Sequence, residues 1–355
     1  MRPELSDQEL GNATLDQNEV IMRDFYSESI DDIDEFDVAA KTKKSGYKLP
    51  RFPKIEEKLE GLDQGLYLFA GESNGGKTAQ MINMLWDLCT CEENNLYGLY
   101  ISLDDSSTEV YPRIIAMDQQ IPIGICAKPM RYQKRIDEAL EGSSVYVEAL
   151  QKRANGLQRL KDLNEQFKLV DSRTLKNGEQ VKDYIRKAQR FVKAHDKNKN
   201  LVVAIDSLND LRFDEYKSTT TRDLHDYIAK EVKSWTVEFG IPIFGSSHLR
   251  KLNSAKGGSR RPSVEDLKES AEYVYEASVV WLINNDVSKN KQSANIFYNS
   301  EESEEKLPVI EMDWAKNKKS DFKGRTYNYF IPGQSRAIEC SEETMARYDA
   351  LIYQV

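Results

Sequence analysis

A chain of 355 residues with 39% hydrophobic content can bury a substantial core, which excludes a peptide-like module and a wholly disordered protein. Its 50 basic against 59 acidic side chains, a net charge of -9, exclude a globally basic nucleic-acid coat and leave room only for a local basic channel. The four cysteines and three histidines lack the spacing of a zinc site, and no apolar run is long enough to span a bilayer, so a reduced, cytoplasmic protein without structural metal is expected.

Residues 1–45 hold twelve acidic and five basic side chains, a net of -7. So acidic a segment is either a solvated tail or a helical arm, since Val20, Ile21, Phe25 and Ile30 space out roughly as one helical face suited to a partner subunit. From residue 46 to 355 a single motor-sized domain is expected. Short apolar runs at 66–70, 97–103, 167–170, 201–205, 241–246 and 279–283 read as buried strands. Between them 78–91, 109–118, 131–165, 178–195 and 221–239 read as helices, with Ile185, Ala188 and Val192 on one face. This alternation implies an α/β fold: a mostly parallel twisted sheet, helices on both faces, and ligands at the carboxyl ends of the strands. The acidic stretch 300–306 reads as a loop with no role.

The segment Gly71-Glu72-Ser73-Asn74-Gly75-Gly76-Lys77-Thr78 lies between a predicted strand and a predicted helix and fits the phosphate-binding pattern G-x-x-x-x-G-K-[ST]. Glycines let backbone N–H groups from Gly71 through Ser73 and Asn74 to Ala79 converge on phosphate oxygens. Lys77 reaches the β and γ phosphates from a solvent-facing cleft, and the Thr78 hydroxyl is offered to Mg2+. A P-loop NTPase using ATP and Mg2+ is expected. Its second metal ligand is Asp206, where the apolar run 201–205 emerges. Asp104 and Asp105 follow the strand after the loop's helix, where an acid that orients water belongs.

These residues resemble the RecA-like motor domain of the DnaB-type replicative helicases, over about residues 46–340. Leu59-Glu60-Gly61-Leu62-Asp63-Gln64-Gly65 is similar to that family's approach to its phosphate loop. Ser102-Leu103-Asp104 resembles its Ser-Leu-Glu, whose acid is the catalytic base, and Arg113 stands where the family has a nucleotide-contacting arginine. Ile205-Asp206-Ser207-Leu208-Asn209 resembles its magnesium-aspartate segment. Arg261-Pro262, with Asp266, Lys268, Glu269 and Ser270, resembles a stretch at the DNA loop in which Lys268 and Glu269 would contact phosphates; Ala271 replaces a glycine there. Ala315-Lys316-Asn317-Lys318 aligns with a segment that reaches into a neighbour's active site. The resemblance makes Lys77, Asp104, Asp206, His248, Lys316 and Lys318 the catalytic set.

The departures are chemical. Asp104 is one methylene shorter than the family's glutamate, Lys318 lacks the bidentate grip of an arginine finger, and His248 replaces a glutamine that senses the γ-phosphate. The amino-terminal helical domain of the bacterial enzymes has no counterpart, as would suit a short, phage-like form, so contacts with primase are not carried over.

Between Arg250 and Arg261, five cations (Arg250, Lys251, Lys256, Arg260, Arg261) and two glycines follow the His248 strand. With no aromatic among them, they suit tracking of a single-stranded backbone with little base preference. The expected function is an ATP-dependent hexameric ring helicase translocating on single-stranded DNA in replication, with a loader or other replication proteins as further partners. Two alternatives share its nucleotide residues: a RecA-like recombination or loading ATPase that does not unwind, and a nucleotide-gated scaffold.

Overall fold

Leu66, Leu68 and Ala70 alternate with Tyr67 and Phe69 along β1 (Gly65–Gly71), so this fully buried strand feeds two cores, one on each face of a sheet. On one face Tyr67 and Phe69 pack with Phe244, Trp281 and Tyr100; on the other Leu66 and Leu68 join Leu99, Val203, Ile205 and Trp235. Each large side chain so buried contributes about 1.5–3 kcal/mol, before the entropy of ordering it.

The structure, a computed structural model, describes residues 46–138, 142–216, 220–250, 260–267, 271–299 and 305–353, together with 22, 27, 30–35, 37, 38 and 41. The chain divides into two units, Met1–Gly46 and Tyr47–Val355. In the first, the described residues between 22 and 41 are helical, and Lys41 pairs with Asp37 one turn earlier. The second contains α1 (Pro53–Leu59), β1, α2 (Lys77–Thr90), β2 (Leu96–Ser102), α3 (Ser107–Gln119), α4 (Ile123–Ala127), α5 (Pro129–Asp137), α6 (Ser144–Asp162) and β3 (Phe167–Asp171). There follow α7 (Gly178–His195), β4 (Asn200–Asp206), α8 (Thr221–Glu238), β5 (Pro242–His248), α9 (Glu272–Glu276), β6 (Val279–Asn284) and α10 (Asp286–Asn290). Last come β7 (Val309–Asn317), β8 (Arg325–Ile331), β9 (Arg336–Glu339) and α11 (Glu342–Tyr353).

The sheet order is β3-β2-β4-β5-β1-β6-β7-β8-β9. The strands from β3 to β6 pair in parallel, and β7, β8 and β9 add antiparallel neighbours. The six expected strands are all present. The three antiparallel ones are additional, and β7 does not read as an apolar run because Glu311 and Asp313 interrupt it. Burial of Glu311 is possible because two arginines neutralise it. The helix expected over 131–165 is two helices, α5 and α6, with Gly142 at φ 72° between them. No helix among the described residues is long and apolar enough to cross a membrane. The acidic stretch 300–304 lies outside the described residues.

Candidate nucleotide site

β1 ends at Gly71, where an added Cβ would lie 2.9 Å from the Ile283 carbonyl oxygen of β6, so only glycine permits this approach of the two strands. The chain then turns tightly, with the Gly75 N–H donating to the Glu72 carbonyl at 3.1 Å, Asn74 at φ 61° and Gly76 at φ 101°. α2 starts at Lys77, so its unpaired N–H groups and positive dipole end converge on the loop's hollow, an arrangement that attracts phosphate.

Lys77 is 5% exposed, which corrects the expectation of a solvent-facing lysine. Its ammonium is folded back onto the loop, donating to the carbonyls of Gly71 and Glu72 at 2.9 Å each. Burial pulls its pKa down to about 8, against the opposing pull of Asp206, Asp104 and Glu72. The loop thus holds a pre-positioned cation whose two acceptors are its own backbone.

Asp206, at the end of β4 and 5% exposed, gathers three hydroxyl donors. Thr78 Oγ1 donates at 2.7 Å and Tyr100 OH at 2.8 Å to Oδ2, and Ser246 Oγ donates to Oδ1. Burial beside Asp206 holds the Tyr100 phenol well above its ordinary pKa, keeping it a donor. The Thr78 hydroxyl and the Asp206 carboxylate are hard oxygen ligands in direct contact at the foot of the phosphate loop. They fit Mg2+, which takes one or two protein oxygens and completes its shell with phosphates and water.

Asp104 lies two residues beyond the end of β2, its N–H on the Asp206 carbonyl at 3.3 Å. Although Asp104 is exposed, partial desolvation, then repulsion from Asp210, Asp105 and Asp206, raises its pKa, with His248 opposing. That direction makes it a better proton acceptor than an ordinary aspartate. His248 ends β5, its backbone N–H held by Asn209 Oδ1 at 2.8 Å. Burial and the Lys77 charge lower its pKa, so the imidazole favours the neutral form.

These groups share one cleft of about 370 Å³, lined by Ser73, Asn74, Gly76, Lys77, Thr78, Ala79, Asp104, Arg113, Asp206 and His248 among others. Arg113, on α3, also lines it and is paired with Asp105 at 2.5 Å. Sequence reasoning missed the far wall, formed by Ile123 of α4 and by Phe330, Pro332 and Ser335 around the β8–β9 turn. It also missed Tyr100 and Ser246. Ser246 falls inside a predicted strand, but only the parallel pairing of β4 with β5, Ile205 opposite Gly245, brings it level with Asp206.

Lys316 and Lys318, and the described residues Arg250, Arg260 and Arg261, do not line this cleft. Lys316 lies opposite Val280 on β6, which is level with Leu68, three residues short of the strand end that carries the phosphate loop. Its ammonium donates to the Val274 and Tyr275 carbonyls at 2.5 and 2.7 Å, and burial, with Lys318 nearby, pulls its pKa down to about 8. Lys318 is exposed just beyond the strand, its N–H on the Ser278 carbonyl at 2.9 Å.

Of the expected DNA-contacting residues, Arg250 and Arg260 are exposed, Arg260 paired with Asp266. Arg261 is not the free cation expected for phosphate tracking: its guanidinium is bound to Glu311 at 2.9 Å and Asp286 at 3.3 Å, and the side chain is 19% exposed. Lys251, Lys256, Lys268 and Glu269 lie outside the described residues.

The family pattern of the DnaB-like helicase C-terminal domain matches residues 50–325. The replicative DNA helicase DnaB of Mycoplasma pneumoniae is 25% identical over 253 residues, 70% of this chain and 47% of that protein. The chain therefore spans about half the length of the curated relative that it matches. Among solved structures, an ATPase domain superposes with a TM-score of 0.68 at 17% identity, over 89% of this chain and 98% of its own. A DnaB-like replicative helicase, solved for its interactions with primase, superposes with a TM-score of 0.66 at 19% identity, over 88% of this chain and 66% of its own. Identities this low speak for the fold alone, which is that of a RecA-like ATPase.

Proposed function

The chain belongs to the family of DnaB-like helicase C-terminal domains, and on that premise we propose that it is an ATP-hydrolysing motor that assembles as a ring, translocates on single-stranded DNA and separates duplex during replication. The observation that carries this reading is the direct contact of Thr78 with Asp206 at 2.7 Å, beneath a phosphate loop whose lysine is already in place. Thr78 and Asp206 would hold Mg2+, which when bound neutralises charge on the phosphate oxygens. Lys77 exchanges the carbonyls of Gly71 and Glu72 for phosphate oxygens, so its ammonium moves a short way and keeps its charge paired throughout. Asp104 orients the attacking water and draws its proton, aided by a raised pKa. Arg113 approaches the nucleotide from α3, with Asp105 fixing its guanidinium, and neutral His248 donates a hydrogen bond toward the γ-phosphate.

Lys316 and Lys318 serve a neighbour's cleft rather than their own. A head-to-tail ring places one subunit's phosphate loop against the next subunit's β7, and a cation there stabilises the transferring phosphoryl group. Arg250, Lys251, Lys256 and Arg260, with Lys268 and Glu269, line the path of the single strand, whereas Arg261 anchors that segment to the body. Hydrolysis of Mg-ATP should rise on addition of single-stranded DNA, by particles seen as rings in electron micrographs. Mg-ATP binding without turnover would instead identify a nucleotide-gated scaffold.

A further inference from the structure

Glu311 is 1% exposed on β7 and takes no part in the nucleotide chemistry above. Its Oε2 accepts from Arg261 Nε at 2.9 Å and from Asn284 Nδ2 at 3.2 Å, and its Oε1 meets Arg325 Nε at 3.1 Å. Asn284, also 1% exposed, accepts through Oδ1 from the Lys289 ammonium at 2.7 Å. The same ammonium lies 3.0 Å from Glu72 Oε2, inside the phosphate loop. An unbroken series of polar contacts therefore runs from Glu72 through Lys289, Asn284 and Glu311 to Arg261, where the segment after β5 rejoins the body. The other root of that segment is fastened as well, since the Leu249 N–H donates to the Gly71 carbonyl at 3.2 Å. Gly71 and Glu72 are the two residues whose carbonyls hold the Lys77 ammonium.

Glu311 and Asn284 are buried and Lys289 and Glu72 half-buried, and such a set tolerates little slack, because a member that loses its partner keeps its cost of desolvation without the compensating attraction. If the ammonium of Lys77 leaves Glu72 for a phosphate, a shift of Glu72 obliges Lys289 to follow or to lose its partner, and Asn284 and Glu311 meet the same choice. On this basis, and resting on the motor reading above, we propose that Lys289 is a positioning residue that couples the phosphate loop to the root of the basic segment, so that nucleotide state sets the placement of Arg261 and of Arg260 beside it. One end of the network is the phosphate loop and the other is the root of the basic segment, two places that a purely structural ion cluster has no need to join.

The test measures affinity of the full chain for single-stranded DNA, with and without a non-hydrolysable ATP analogue and Mg2+, and takes the ratio of the two. Lys289→Met should retain DNA affinity without nucleotide and hydrolysis without DNA, yet lower that ratio about 2- to 30-fold, the range such networks carry. Lys289→Arg, which keeps the cation, should restore the ratio. By reciprocity, the effect of DNA on affinity for the analogue must fall by the same factor, an internal check on the measurement; rescue by Lys289→Arg is the result that a merely structural defect would not give. Glu72→Gln reaches the network from its other end and should lower the ratio likewise, deciding the matter if Lys289→Met folds poorly. Ratios unchanged in both variants, or a lowered melting temperature with the ratio intact, would overturn the proposal while leaving the motor reading. A wild-type ratio of one would also overturn the proposal, whereas the motor reading falls only if no strand is displaced from a forked duplex.

Discussion

Replacing Asp206 with asparagine separates the acid's structural role from its metal role. Three hydroxyls converge on the carboxylate: Thr78 at 2.7 Å and Tyr100 at 2.8 Å on one oxygen, Ser246 on the other. Asparagine offers one oxygen and an NH2, so at least one hydroxyl must turn from donor to acceptor or go unpaired. A hydrogen bond to a charged acceptor contributes about 1.5–3 kcal/mol. Relief of the desolvation borne by a buried carboxylate offsets part of that. The net loss should be about 1–2 kcal/mol, a fall of a few degrees in melting temperature for a unit of this size. Turnover should suffer far more: without the anionic ligand, Mg2+ is held by Thr78 and phosphates alone, and a loss of about 3 kcal/mol in the transition state is at least a hundredfold in kcat. Hydrolysis assayed across a Mg2+ titration, beside thermal unfolding of the same preparation, gives both numbers. Turnover within about tenfold of wild type at low Mg2+, in a folded protein, would refute the assignment of Asp206.

Affinity for nucleotide should weaken as pH rises through about 8, because the Lys77 ammonium of the free protein loses its proton there while the polyphosphate requires it; calorimetry in buffers of different ionisation enthalpy should register proton uptake on binding in that window. Gly76→Ala should cost stability and abolish nucleotide binding together, since the residue sits at φ 101° with Ile310 2.9 Å from the new Cβ, whereas Gly240→Ala, at φ 64° in open space, should lower only the melting temperature. Arg261→Ala should destabilise by about 3 kcal/mol by stripping Glu311 and Asp286 of a buried partner, while Arg250→Ala leaves the melting temperature unchanged and weakens single-strand binding in a salt-dependent way. Lys77→Ala and Lys318→Ala, each inactive alone, should regain part of their hydrolysis when co-assembled, because roughly a quarter of interfaces then pair an intact loop with an intact lysine; a co-assembled mixture without activity would refute a role for Lys318 across the interface.

The phosphate loop is legible in the sequence because its chemistry is local: glycines, lysine and threonine sit within eight consecutive residues, and the flanking strand and helix follow from apolar periodicity. Asp206 and Asp104 are legible for a related reason, as acids placed where apolar runs end. What surrounds them is not. Tyr100 and Ser246 reach Asp206 only through the register of β2, β4 and β5, which pair residues forty or more positions apart. Phe330, Pro332 and Ser335 belong to a late antiparallel extension whose first strand, β7, carries acids in its buried run. Arg261 is the instructive case. Its position in a basic stretch reads as a DNA contact, yet burial beside Glu311 and Asp286 makes it an anchor, and no local pattern distinguishes the two.

Displacement of a labelled strand from forked duplexes tests most directly whether this chain turns ATP hydrolysis into movement along a single strand. With Mg-ATP, forks bearing a single-stranded tail of one polarity should be unwound and those of the other left intact, and Lys77→Ala should unwind neither. DNA-stimulated hydrolysis by assembled rings, with no strand displaced from either fork, would contradict the account and identify an ATPase that binds or loads without unwinding.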